Sequence, residues 1–181
     1  MPGVTRVYLG LGSNIQRERH LDMALDALAE LLADLHCSPV FESEAVGIRS
    51  TPFLNLVVGG DTELDPAALS QQLKAIETRS GRYAPDRQGL PLDIDILLYG
   101  DLTGEVAGLT LPRAEILRNA FVLWPLALLA GERRHPGSDR RFDELWQEMR
   151  CQTTQVLRPV SFRWQGTDLT PKTLLDSRPS S

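Results

Sequence analysis

Two stretches of apolar residues at helical spacing, set among stretches that alternate every second residue, restrict this chain to a sheet that carries helices. In residues 20–35, Leu21, Ala24, Leu25, Leu28, Leu32 and Leu35 recur at three- and four-residue steps, one stripe of an amphipathic helix. In the second stretch Asp65-Pro66 supplies an N-cap and a proline in the first turn, Leu69, Leu73 and Ile76 share a face, and Gly81 stands just past the end. Period-two patterns predict strands at residues 6–11, 40–46, 53–62 and 92–99, the third weakened by Gly59-Gly60. The resulting order, strand, helix, strand, strand, helix, strand, is that of the split βαβ unit. The expected class is therefore α+β and ferredoxin-like, a mainly antiparallel sheet covered by helices. A fold of this kind does not name a function.

Between these elements, residues 82–91 are polar and carry Pro85, Gly89 and Pro91, which predicts a mobile surface loop. A second loop over residues 104–113 leads to helical segments at 114–117 and 121–130. A chain of 181 residues with 42% hydrophobic content can bury one core, so residues 1–150 are expected to form a single domain. Residues 151–181 read as an extension, partly extended where 156–164 alternates and frayed at its Ser/Pro/Thr-rich end.

Charge and composition exclude several function classes. Nineteen basic against twenty-four acidic residues give a formal charge of −5 without a Lys or Arg run, so nucleic acid is not an expected partner. Cys37 and Cys151 form neither a CxxC pair nor a disulfide framework, and the N-terminus lacks a signal-like segment, which points to the cytoplasm. The longest apolar stretch, residues 120–130, is too short for a bilayer and is interrupted by Pro125, so no membrane association is expected. Small molecules remain as partners; the oligomeric state is open, with a monomer as the default.

Asp93 and Asp95 sit two residues apart on the last predicted strand, projecting from one face roughly 6.6 Å apart while Ile94 and Ile96 face the core. Two carboxylates on an otherwise apolar strand repel one another, and a hard cation between them offsets that cost. Mg²⁺ suits the arrangement because it takes few carboxylate ligands and fills its shell with water and phosphate. By spacing alone, the wet side of a half-exposed strand is the better account of the pair.

Gly12-Ser13-Asn14 after the first strand, Phe53-Leu54-Asn55, Ile76-Glu77 with Gly81-Arg82, Leu92-Asp93-Ile94-Asp95-Ile96-Leu97, and Phe121-Val122-Leu123-Trp124-Pro125-Leu126 follow one another in this chain. Their order and spacing resemble the 6-hydroxymethyl-7,8-dihydropterin pyrophosphokinases of folate biosynthesis. The resemblance implies transfer of a diphosphate from ATP to the hydroxymethyl oxygen of a reduced pterin, with release of AMP and two Mg²⁺ ions on Asp93 and Asp95. It assigns Ser43, Val46, Phe53, Asn55 and Phe121 to the pterin, aromatic faces sandwiching the ring while Asn55 reads its edge. It assigns Arg82 to a catalytic loop and Glu77, Ile96 and Thr110 to the ATP side.

The chain departs from that pattern where phosphate-binding cations belong. A Trp-Gly-Pro-Arg-like run before the Asp-x-Asp strand reads Arg87-Gln88-Gly89-Leu90-Pro91, in a loop about two residues shorter than the family form, and Ala84 replaces a frequent second loop arginine. The family's Pro-His pair appears as Pro112-Arg113, and its Asn-Arg-Gly/Ala-Phe run as Arg118-Asn119-Ala120-Phe121. Arg87, Arg113 and Arg118 are thus the candidates to contact phosphate in place of the missing groups. The alternatives are a catalytically impaired relative that binds a pterin or nucleotide, and a ferredoxin-like regulatory domain with no nucleotide.

Overall fold

A computed structural model describes residues 3–43, 51–85 and 89–176. Four strands form the frame: β1 (Thr5–Ser13), β3 (Val40–Ser43), β4 (Phe53–Thr62) and β5 (Asp93–Tyr99). They lie in the order β5-β1-β4-β3, all antiparallel. The helices α1 (Arg17–Leu31) and α2 (Pro66–Arg79) complete the split βαβ unit. The α+β, ferredoxin-like expectation is met. Two strands enlarge the sheet: β2 (Ala33–Cys37) pairs with the far half of β4, and β8 (Leu157–Val160) pairs with β3. No helix among the described residues is long and apolar enough to cross a membrane.

Strand alternation sends the two halves of each strand's side chains to different neighbours. Val7, Leu9 and Leu11 of β1, Leu54, Leu56 and Val58 of β4, and Ile94 and Ile96 of β5 pack with Leu21, Leu25 and Leu28 of α1 and Leu69, Leu73 and Ile76 of α2. On the opposite face Tyr8, Val57, Leu97 and Leu98 meet α3 (Ala120–Ala130) through Leu123 and Leu126, and α4 (Phe142–Arg150) through Phe142. Helices therefore cover both faces, but α3 and α4 cover only one end of theirs. A register shift in the β1–β5 pairing between Tyr8 and Leu9 puts both Leu97 and Leu98 into this second cluster.

Four regions differ from the sequence expectation. The first helix starts at Arg17 and stops at Leu31, because Leu32 is extended and Asp34 takes a positive φ of 52°, turning the chain into β2. Leu35, in phase with the helical stripe, belongs to that strand. Gly59-Gly60 does not weaken β4. It admits close neighbours, since a Cβ on Gly59 would stand 2.8 Å from the Tyr8 ring and one on Gly60 2.9 Å from Leu32 Cβ. Residues 131–150, to which the apolar patterns assigned no element, contain α4, whose Leu145, Trp146 and Met149 pack on the second cluster beside Phe142. The loop over 104–113 holds a hairpin, β6 (Gly104–Val106) and β7 (Leu109–Leu111).

Candidate active site

The uncovered end of the second face is a cleft of about 730 Å³. Its floor follows from strand register. Gly12 of β1 lies opposite Asn55 on one side and Asp93 on the other, and Gly10 lies likewise between Val57 and Asp95. With neighbouring strands about 4.8 Å apart, the Asn55 and Asp93 backbones are held about 10 Å apart across a strip that carries no side chain. A Cβ on Gly12 would stand 3.0 Å from Asn55 Nδ2 and press on that amide, so the bare glycine leaves Asn55 its position.

One wall brings together the residues expected to hold a pterin. Ser43, Phe53, Asn55 and Phe121 all line the cleft. The Ser43 hydroxyl donates to Asn55 Oδ1 at 2.5 Å, and both residues are buried. With its oxygen engaged, Asn55 turns its Nδ2 toward the Gly12 side. Val46 lies outside the described residues.

The other wall carries Asp93, Asp95, Arg113 and Glu115, with Arg82 and Glu77 behind it rather than in its lining. The Arg82 guanidinium lies 2.5 Å from Asp93 Oδ1 and also pairs with Glu77. Glu77 is buried and further accepts from the Ile94 backbone N–H and the Tyr83 hydroxyl, both at 2.9 Å. It therefore orients Arg82 and β5 from beneath. Arg113 stands 3.5 Å from Asp95 Oδ1, with its Nε 2.9 Å from Glu115 but making no hydrogen bond. Burial, followed by the charge and hydrogen bond of neighbouring Asp93, pushes the Asp95 carboxyl up to about 7. A cation beside the pair relieves that cost. No group of three or more His, Cys, Asp or Glu able to hold a metal occurs among the described residues. A cation here would use two carboxylates and take its other ligands from solvent or a bound anion, which fits Mg²⁺.

The remaining expected residues lie apart from the cleft. Ile96 packs in the α1–α2 core, because strand alternation turns its side chain away from Asp95. Thr110 is exposed on β7, 3.4 Å from Glu105. Arg118 lines a separate depression with Arg140, Leu145 and Glu148, whereas Arg113 lines the cleft; the third candidate replacement cation, Arg87, lies outside the described residues. Asn14 is a functional neighbour that the motif carried without a role. Its Oδ1 accepts from Leu90 N at 2.6 Å and its own N–H donates to Leu90 O at 3.0 Å, pinning the chain just before β5. Asparagine directly after a strand was the available signal. Asn119 also lines the cleft; the Arg118-Asn119-Ala120-Phe121 run contained it without giving it a role.

Comparison with known proteins supplies independent findings. The family described as 7,8-dihydro-6-hydroxymethylpterin-pyrophosphokinase (HPPK) matches residues 8–131. A 2-amino-4-hydroxy-6-hydroxymethyldihydropteridine pyrophosphokinase of Pseudomonas aeruginosa is 39% identical over 138 residues, 74% of this chain and 85% of the relative. One from Synechocystis is 34% identical over 157 residues, 83% and 80% of the two chains. Among solved structures, Plasmodium falciparum HPPK-DHPS superposes with a TM-score of 0.66 at 15% identity, covering 81% of this chain and 43% of that one. That likeness concerns the fold alone, and this chain spans less than half of the Plasmodium protein.

Proposed function

The chain belongs to the 7,8-dihydro-6-hydroxymethylpterin-pyrophosphokinase family, and on that premise we propose that it transfers a diphosphate from ATP to the hydroxymethyl oxygen of 6-hydroxymethyl-7,8-dihydropterin, releasing AMP, as a cytoplasmic enzyme of folate biosynthesis. The observation that carries this reading is the row Asn55–Gly12–Asp93, which joins an amide suited to a heterocycle's edge and a carboxylate suited to a cation across one bare floor.

In this reading the pterin ring lies between Phe53 and Phe121, gaining from offset stacking, while Asn55 presents Nδ2 to a ring acceptor with its carbonyl held by Ser43. The hydroxymethyl arm then points along the glycine strip toward Asp93 and Asp95. These two carboxylates would hold two Mg²⁺ ions. Bound magnesium supplies charge neutralisation on the phosphate oxygens and holds attacking and leaving oxygens in line. Arg82 and Arg113, each beside one carboxylate, are the cations positioned to turn toward phosphate as charge develops there. Arg113, standing where the family pattern has histidine, favours turnover over the impaired alternative. Residue contacts at Glu77, Ile96 and Thr110 would reach ATP only through backbone or through rearrangement of the hairpin and loop.

The experiment is an AMP-release assay with ATP, Mg²⁺ and the reduced pterin. AMP formation that requires both pterin and Mg²⁺ supports the reading. Binding of pterin or nucleotide without AMP release supports the impaired relative, and silence for both ligands refutes either.

A further inference from the structure

The family match ends at residue 131, yet both walls of the aromatic slot are braced by residues beyond it. On the α3 side, Gln155 reaches back 35 residues: its Oε1 accepts from Ala120 N at 2.5 Å and its Nε2 donates to Asn119 Oδ1 at 3.2 Å. Asn119 is the N-cap of α3 but makes no side-chain cap of its own, so Gln155 satisfies the first helical N–H in its place. Phe121, which faces the pterin slot, is the next residue along. Gln155 is itself steadied by its own N–H, which donates to Thr153 Oγ1 at 3.1 Å.

On the opposite side, two residues further along, β8 adds itself to the edge of β3. Leu157 lies opposite Ser43 and Pro159 opposite Phe41. Arg158 reaches around to pair with Glu42, whose other carboxylate oxygen accepts from Arg17 at 2.8 Å. The same Arg17 nitrogen donates to the Pro52 carbonyl at 2.9 Å, immediately before Phe53. One short stretch of chain thus contacts the helix start that carries Phe121 and the strand end that carries Ser43. Ser43 is the cross-strand partner of Phe53, and Phe53 and Phe121 are the two sides between which a flat ring must fit.

We propose that residues 155–158 are a strap that sets the spacing of the aromatic slot, with Gln155 and Arg158 as positioning residues for pterin recognition. The inference rests on the pterin reading of that slot. Neither residue lines the cleft, so the strap acts through Phe121 and Ser43, and its loss moves affinity for the pterin more than the chemical step or the handling of ATP. Because Arg158 is largely exposed, its part is the smaller.

The test is steady-state kinetics on Gln155→Ala, Gln155→Glu and Arg158→Ala, with thermal melting of each. Gln155→Ala is expected to raise KM for the reduced pterin about tenfold, with kcat at saturating pterin and KM for ATP within about twofold of wild type. Gln155→Glu keeps an acceptor for Ala120 N while losing the donor to Asn119, so it should recover part of that loss. Arg158→Ala should raise the pterin KM about threefold. Unchanged pterin KM in Gln155→Ala and Arg158→Ala overturns the strap, as does a fall in kcat with both KM values moving together, which marks a purely structural role. Should Gln155→Ala fail to fold, Gln155→Glu and Arg158→Ala carry the same decision. Calorimetric titration of wild type with pterin, Mg²⁺ and a non-hydrolysable ATP analogue separates the two claims. No pterin binding by wild type sinks the functional reading, whereas equal binding by wild type and Gln155→Ala sinks the strap alone.

Discussion

The two faces of the central sheet are made by the same strands and have opposite contents. On the α1–α2 face, Val7, Leu9 and Leu11 are essentially inaccessible and meet leucines from both helices. On the other face, the residues between and after them are Tyr8, Gly10 and Gly12, with Asp93, Asp95 and Asn55 beside the glycines. One face is covered by buried leucines along its length, whereas the other is packed only at the end that α3 and α4 cover. The other keeps a gap that its two helices do not cover, and places polar groups around it. A binding site here is therefore a local omission of packing, made affordable by the completeness of the core behind it.

Four substitutions test whether the division between faces is real. The largest effect is expected from Asp95→Asn, which should lower the rate of AMP release by about three decades or about 4 kcal/mol in the activation barrier. Melting of the metal-free protein should be unchanged or slightly higher, since burial and Asp93 both oppose the Asp95 charge. Robust AMP release by this variant would break the assignment. Leu9→Ala on the opposite face should do the reverse, costing about 2–5 kcal/mol in denaturant unfolding while the folded fraction keeps its pterin KM. A shifted KM with intact stability would show that the faces are not separable.

Gly12→Ala probes the floor directly. Its Cβ would stand 3.0 Å from Asn55 Nδ2, so the amide must give way by a few tenths of an ångström. We expect a rise in pterin KM of about fivefold, with unfolding changed by less than about 1 kcal/mol; an unaltered KM would mean that Asn55 does not read the substrate. The smallest effect concerns the polar margin of the packed face. Arg17, and next Arg158, hold the Glu42 carboxyl below its ordinary range. A carboxylate so depressed contributes stability that is present above its unfolded pKa and lost as pH falls through the folded one. Melting temperatures measured from pH 6 down to pH 3 should consequently fall less in Glu42→Gln than in wild type. Parallel curves would remove Glu42 from the accounting.

Much of the cleft was legible residue by residue. Asp93, Asp95, Phe53, Asn55 and Phe121 lie in family motifs and Ser43 follows from the resemblance, and the structure assembles all six around one gap. What the motifs left out are residues whose roles depend on a partner far along the chain. Arg113 and Arg118 looked equivalent as replacement cations, but the turn of 3-10 helix at Ala114–Leu117 between them sends one into the cleft and the other to the α4 side. Ile96 and Asp95 are chain neighbours that a strand's period of two sends to opposite layers.

The sequence by itself determined the order of the elements in the split βαβ unit and which strand face is core, because both follow from local periodicity: burial of every second residue in a strand and of every third or fourth in a helix is written along a few turns of chain. It also determined the chemistry on offer, a carboxylate pair, an amide and aromatic rings. Only the tertiary structure decided that Asn55, Gly12 and Asp93 form one row, that Arg113 rather than Arg118 meets the carboxylates, and that Gln155 caps the helix leading to Phe121. Those facts depend on cross-strand register and on contacts between segments tens of residues apart. Register is set by how whole strands pair and how helices pack on them, and no window of local sequence contains it.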